Sequence, residues 1–377
     1  MPLKILRPIP LDLRSGSGSC LFTVLGLYPV ELTARTCGTM SGHLVGALAI
    51  VTLAGILNGS FASPMKRMEA WRWENNWLLF TVSGLLILPW IINLATVPKV
   101  QQVYLGVPSS TLMKVVLFGL LWGTGATLFG LGISRVGMAL GFALILGITA
   151  SFGSLLPLVI LHPGQLLAHR GLALIGGTAV MVLGLFLLVL AGRTREHNLG
   201  GDTHNRSGFT VGLVICILSG IFSSMMNFSF IFGDELRLRA LETGASPVMA
   251  ANPIWTLTVT GGFVVNFLYC VYLLNKNHTW SVFHEGRPAT YWPLGMATGG
   301  LWFGGIVCYG MGAASLGSLG AIVGWPIFMT LDIIAGVFWG AIFGEWKGAG
   351  RRALVYCWTG VAVLLLAIMV ITAGNAA

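Results

Sequence analysis

Charge is what this sequence has least of. Only 9% of its 377 residues are Asp, Glu, Lys or Arg, where a soluble domain carries about a quarter to keep its surface solvated. That scarcity excludes an ordinary water-exposed globule. Cysteine is sparse as well, with six residues, no CxxC and no Cys/His spacing of the kind that holds a metal. Cys216, Cys270, Cys308 and Cys357 lie in or at the ends of apolar runs and read as small core residues. His43, His162 and His169 lack metal-ligand spacing, and neither a Ser/His/Asp set nor a phosphate loop stands out. No enzyme and no cofactor are expected. The net charge of +9 does not mark a nucleic-acid binder, because the basic residues sit in short clusters between apolar runs rather than in one patch.

What the chain does have is hydrocarbon: 55% hydrophobic residues and a mean hydropathy of +0.85. Ten runs fall at roughly 42–64, 77–96, 115–133, 138–161, 171–192, 209–232, 248–274, 291–314, 318–343 and 353–373. Each is long enough to cross about 30 Å of bilayer core. The runs are continuous rather than alternating, which excludes a barrel. Backbone groups in lipid must then be satisfied within helices. The predicted fold is an all-α integral membrane protein with ten transmembrane helices.

Residues 1–39 differ from the rest, with Lys4, Arg7, Arg14, Arg35, several prolines and an apolar piece too short to span. They are expected to be a disordered leader, or an upstream start that the cell does not use, Met40 being a natural initiator. Counting Lys and Arg between spans gives twelve in the loops after odd-numbered runs and five after even-numbered runs. That asymmetry places the odd loops in the cytoplasm.

The sequence also matches itself at an offset of 180 residues. Leu121-Trp122 returns as Leu301-Trp302, and Gly125, Gly130, Gly132 and Gly137 return as Gly305, Gly310, Gly312 and Gly317, with Phe129 answered by Tyr309. His169-Arg170-Gly171-Leu172 is echoed by Arg351-Arg352-Ala353-Leu354, and Asn58-Gly59-Ser60-Phe61 by Asn227-Phe228-Ser229-Phe230. The predicted halves are 40–194 and 208–377, joined by a loop at 195–207. Five helices per half is an odd number, so the second half must be inverted relative to the first. Inverted repeats place a substrate site near the midplane between halves that rock against it.

One acid lies deep in an apolar run: Asp332, near the centre of the ninth. Burial disfavours its charged form. It is either a proton-coupling group or a neutral tie between helices. Trp325, Gly336 and Trp339 would share its helix face. Asn58, Ser60, Asn227, Ser229, Asn252, Thr256, Thr258 and Asn266 are the amides and hydroxyls placed to meet a polyol or to bond between helices. Trp122, Trp302 and Trp325 could cover the apolar face of a sugar. Trp71, Trp73 and Trp77, beside Lys66, Arg67 and Arg72, read as an interfacial belt.

The stretches NGSFASPMKRMEAWRWENNW (58–77), GIFSSMMNFSF (220–230), LGSLGAIVGWP (316–326) and GEWKGAGRR (344–352) resemble the L-rhamnose–proton symporter family of the drug/metabolite transporter superfamily. The resemblance runs from about Gly42 to the C-terminus. It implies an inverted five-helix duplication and proton-driven uptake of a deoxyhexose into a bacterium. The best-known members carry Gln-Tyr-Asp-Tyr early in the ninth helix, where this chain reads Leu319-Gly320-Ala321-Ile322. The combined expectation is a carrier in the bacterial inner membrane, with the proton as coupling ion at Asp332 and a sugar site drawn from Asn58, Ser60, Asn227, Asn252 and Trp325. The partners expected are the sugar and the lipid bilayer, with oligomeric state open. An exporter of amphipathic compounds and a sugar sensor that does not transport are the rival readings; the exporter would usually carry an acid in the first helix, and none is present there.

Overall fold

The computed structural model describes residues 30–136, 138–199, 209–317 and 320–376. Residues 1–29 of the expected leader, 200–207 of the expected connecting loop and 208 of the expected second half lie outside the described residues. The chain divides at Met40, and Ser41–Ala377 forms the unit described below. Ten helices are long and apolar enough to cross a membrane. They are α1 (Val30–Gly59), α2 (Trp73–Thr96), α3 (Ser109–Val136), α4 (Met138–Leu161), α5 (His169–Asn198), α6 (Phe209–Phe232), α7 (Asn252–Asn277), α8 (Pro288–Ser315), α9 (Gly320–Ile342) and α10 (Gly350–Ala376). The described chain contains no strand.

Local chemistry sets the ends. Pro253 and Pro288 stand in the first turns of α7 and α8, where the missing N–H has no helical partner to lose. Pro163 follows α4 and stops it. A π-helical turn, Ser83–Ile87, interrupts α2. Several helix ends differ from the expected runs, two of them for a visible reason. α5 runs on to Asn198 rather than ending at 194, because Asn198 Nδ2 donates to Ala349 O at 2.7 Å and anchors the last turn. α2 starts at Trp73 rather than 77, because the polar Glu74, Asn75 and Asn76 that open it are buried.

The two halves exchange helices. α6 packs against α3 through Gly125 and Gly132, which face Ser223 and Cys216, and against α4 through Gly220, which faces Ile148. α1 answers by packing against α8 through Gly305 and Gly312, facing Asn58 and Val51, and against α9 through Gly55 and Gly59. α3 crosses α7 where Gly123 meets Gly262, and α2 crosses α8 where Gly84 meets Gly299. A methyl group on Gly123 would stand 2.7 Å from the Gly262 Cα, and one on Gly84 2.9 Å from the Gly299 Cα. Small residues here let backbones touch. α5 and α10 lie along one another, with Gly184 and Gly360 in mutual contact. Each contact in one half has a counterpart in the other, so the ten helices form the inverted repeat that the sequence offset implies. The outer faces are apolar: Leu183, Phe186, Leu365 and Met369 are exposed, as lipid contact requires.

Candidate functional site

The two tryptophans paired by the repeat meet at the centre. Trp122 of α3 and Trp302 of α8 stack with ring centroids 5.2 Å apart and planes 27° from parallel. Phe80 of α2 meets Trp302 edge-on at 5.6 Å, and Trp77 packs on Phe80 at 4.9 Å. Trp77 Nε1 donates to Asn266 Oδ1 of α7 at 3.0 Å, and Asn266 Nδ2 donates to Gly262 O at 2.9 Å. Asn58 Nδ2 of α1 donates to Trp302 O at 3.2 Å. Both repeats thus contribute to an aromatic wall with amides at its edge. The interfacial belt expected of three tryptophans is corrected here. Trp73 is 45% exposed, but Trp71 is buried against Tyr291, and Trp77 turns inward because its N–H finds a buried acceptor.

Asn227 and Trp325 come together, through a residue that the sequence reading used only as a repeat marker. Asn227 Nδ2 of α6 donates to Gly153 O of α4 at 2.8 Å and to Ala321 O of α9 at 3.1 Å. Its Oδ1 accepts from the Tyr309 hydroxyl of α8 at 2.6 Å. Trp325 Nε1 donates to Thr149 O of α4 at 3.0 Å, and Tyr309 stacks on Phe328 at 4.9 Å. Asn227, Tyr309 and Trp325 are buried, and their polar atoms are engaged between helices.

Asn252 stands apart from this cluster. It opens α7 and donates to Thr96 Oγ1 at the end of α2, 2.8 Å away. Ser60, just past α1, accepts from Trp339 Nε1 of α9 at 2.7 Å and donates to Ile56 O at 2.6 Å. Asp332 is half-buried on α9, where its backbone packs against Gly59. Its carboxylate has no hydrogen-bond or ion-pair partner among the described residues. The helix face expected to be shared is split between neighbours. Trp325 bonds to α4, Trp339 bonds to α1, and Gly336 is exposed.

One buried acid escaped the sequence reading. Glu74, near the start of α2, is 6% exposed. Its Oε1 accepts from Asn277 Nδ2 at 3.0 Å and Thr279 Oγ1 at 2.9 Å, and the adjacent Asn75 Nδ2 donates to Thr279 O at 2.9 Å. On the same end of the bundle, Lys66 pairs with Glu345. No periodic signal marks Glu74, because the donors that bury it come from the far end of α7.

Ten spanning helices, with two inverted halves that exchange partners around a shared aromatic centre, have the build of a membrane transporter. The chain belongs to the L-rhamnose-proton symport protein (RhaT) family, whose model matches residues 37–377. It is 30% identical over 341 residues to the L-rhamnose-proton symporter of Klebsiella pneumoniae (strain 342), covering 89% of this chain and 96% of that one. The symporters of Enterobacter sp. (strain 638) and Salmonella newport (strain SL254) are 29% identical over the same extent.

Proposed function

We propose that this protein imports L-rhamnose or a closely related monosaccharide across the bacterial cytoplasmic membrane by proton symport. Membership of the family supports the class of cargo. The observation that carries the site is the Trp122–Trp302 stack, in which one repeat-related residue from each half meets its counterpart. Aromatic faces cover the apolar face of a sugar, and amides meet its hydroxyls. Asn58 and Asn266, at the edge of this wall, are the first sugar-contacting candidates, with Trp122 and Trp302 as the platform. Ser60, Asn227, Asn252 and Trp325 join the site as the helices they tie move apart during alternating access. Asp332, near the middle of α9 and free of any competing partner among the described residues, takes the coupling proton, and no other cofactor is needed.

Uptake of labelled L-rhamnose in a transport-deficient bacterial host tests this reading. Accumulation by the wild type should collapse on adding a protonophore, and Asp332→Asn should lose accumulation while retaining downhill exchange of sugar. Absence of uptake by well-folded wild type would remove L-rhamnose as the substrate. Full accumulation by Asp332→Asn would remove Asp332 as the proton site.

A further inference from the structure

The loop after α1 and the segment that opens α8 come from different repeats and are packed together at the face that carries the loops after odd-numbered helices. Met68 and Trp71 are buried against Val282 and Tyr291, and Trp71 meets the Phe283 and Tyr291 rings edge-on at 5.2 and 5.5 Å. The loop after α7 is pinned where it leaves the helix: His278 takes φ 55°, and Glu74 and Asn75 of α2 are bonded to Thr279. Gly286, with φ 68°, lets that loop end against the first repeat, for a methyl group there would stand 2.7 Å from the Tyr291 ring and 2.8 Å from the Ala70 Cβ. A cavity of about 450 Å³ opens here, lined by Arg67, Glu69, Arg287, Thr290, Tyr291 and Leu294. Arg67, Glu69 and Arg287 are exposed, and none of their side chains has a hydrogen-bond or ion-pair partner among the described residues.

We propose that this cavity binds the phosphate group of an anionic phospholipid, held by Arg67 of one repeat and Arg287 of the other. Two guanidinium groups and one carboxylate line it, an excess of positive charge that one phosphodiester balances. Arginine presents a planar fork of donors that fits phosphate oxygens. The first turn of α8, where Thr290 stands, adds the positive end of a helix dipole. The depth is that of a lipid headgroup. Trp280 and Trp292 meet Phe283 beside the cavity and are 46% and 45% exposed, and exposed tryptophans gather at the membrane–water interface. Basic pockets on the basic face of a membrane protein receive anionic headgroups. Tyr291 and Leu294 give the cavity an apolar wall, against which glycerol and the first methylenes can lie. A soluble phosphate compound shares the charge but has no use for that wall, so the lipid is the source assigned. A headgroup seated here ties the two repeats together whatever the cargo, and the inference stands apart from the symport reading.

Native mass spectrometry of the full chain, released from phosphatidylcholine nanodiscs with and without phosphatidylglycerol, reads the site. The wild type should keep one phosphatidylglycerol molecule in preference to phosphatidylcholine. Arg67→Gln combined with Arg287→Gln should retain about tenfold less of it, and either single variant serves should the pair fail to fold. Arg351→Gln combined with Arg352→Gln removes the same charge from exposed residues of the same face, outside the cavity, and should retain as much as the wild type. In thermal unfolding, phosphatidylglycerol should raise the midpoint of the wild type and not that of the Arg67/Arg287 pair. Inorganic phosphate added to phosphatidylcholine nanodiscs should leave the midpoint where it was. No preference for phosphatidylglycerol in the wild type, or full retention by the Arg67/Arg287 pair, would overturn the site. Equal loss in both pairs would reduce it to general attraction of charge and overturn it too. A midpoint raised by inorganic phosphate alone, and only with both arginines present, would overturn the lipid as the ligand and put a soluble phosphate compound in its place.

Discussion

Asn58 and Asn227 occupy the same place in the two repeats and are bonded differently. Asn227 ties α6 to α4, α8 and α9 at once. Asn58 makes a single bond, to Trp302 O of α8. The sequence supplies part of the reason: the residue that answers Tyr309 in the first half is Phe129, whose ring has no hydroxyl to donate. Two halves built from one pattern therefore end in different arrangements, one knotted and one loose. An inverted-repeat carrier works by having its halves exchange such arrangements.

The sharpest way to break the comparison is to remove the shared frame on which both halves hang. Gly262→Leu would drive a side chain into the Trp122 ring, against which even a methyl group clashes. Overpacking of this kind costs about 1–3 kcal/mol or more. The expected result is a large fall in thermal stability in detergent and loss of folded protein from the membrane. Asn227→Leu comes next. It takes a donor from Gly153 O and from Ala321 O and leaves the Tyr309 hydroxyl only its 3.1 Å bond to Ala321 O, at a cost of about 1–3 kcal/mol. Its melting temperature should drop clearly, and Tyr309→Phe should reproduce only part of that loss. Asn58→Ala should have the smallest effect on stability, about 0.6 kcal/mol for one interhelical bond, because it gives up a single long contact. Its apparent KM for L-rhamnose should nevertheless rise several-fold. Equal destabilisation by Asn227→Leu and Asn58→Ala would erase the distinction between a knotted and a loose half.

Much of the fold was legible in the sequence because lipid imposes a simple rule on composition. Ten apolar runs and a self-match at Leu121-Trp122 and Leu301-Trp302 are enough to define ten helices in two inverted halves. The pairing of helices was not legible, since nothing in the glycine pattern says that Gly123 meets Gly262 or that α6 inserts beside α3 and α4. The site was read in part. Trp122 and Trp302 were singled out, but not their stacking on each other. Asn227 and Trp325 were named as sugar-contacting candidates; their hydrogen bonds here lead to backbone carbonyls of Gly153, Ala321 and Thr149, and backbone partners leave no trace in side-chain identity. Glu74 was missed for a related reason. A polar Trp-Glu-Asn-Asn stretch reads as a loop until the end of a helix some two hundred positions away supplies its donors.

His278 has a counterpart. Among the described residues, only Lys99 and His278 have positive φ without being glycine, at 53° and 55°, and they sit one repeat apart in the loops after α2 and α7. The conformation costs an L-residue roughly 1 kcal/mol or more, and glycine would adopt it freely. The two turns nevertheless place that angle differently: Lys99 stands two residues beyond the extended Val97 that caps α2 and opens the short helix Val100–Leu105, whereas His278 caps α7 directly.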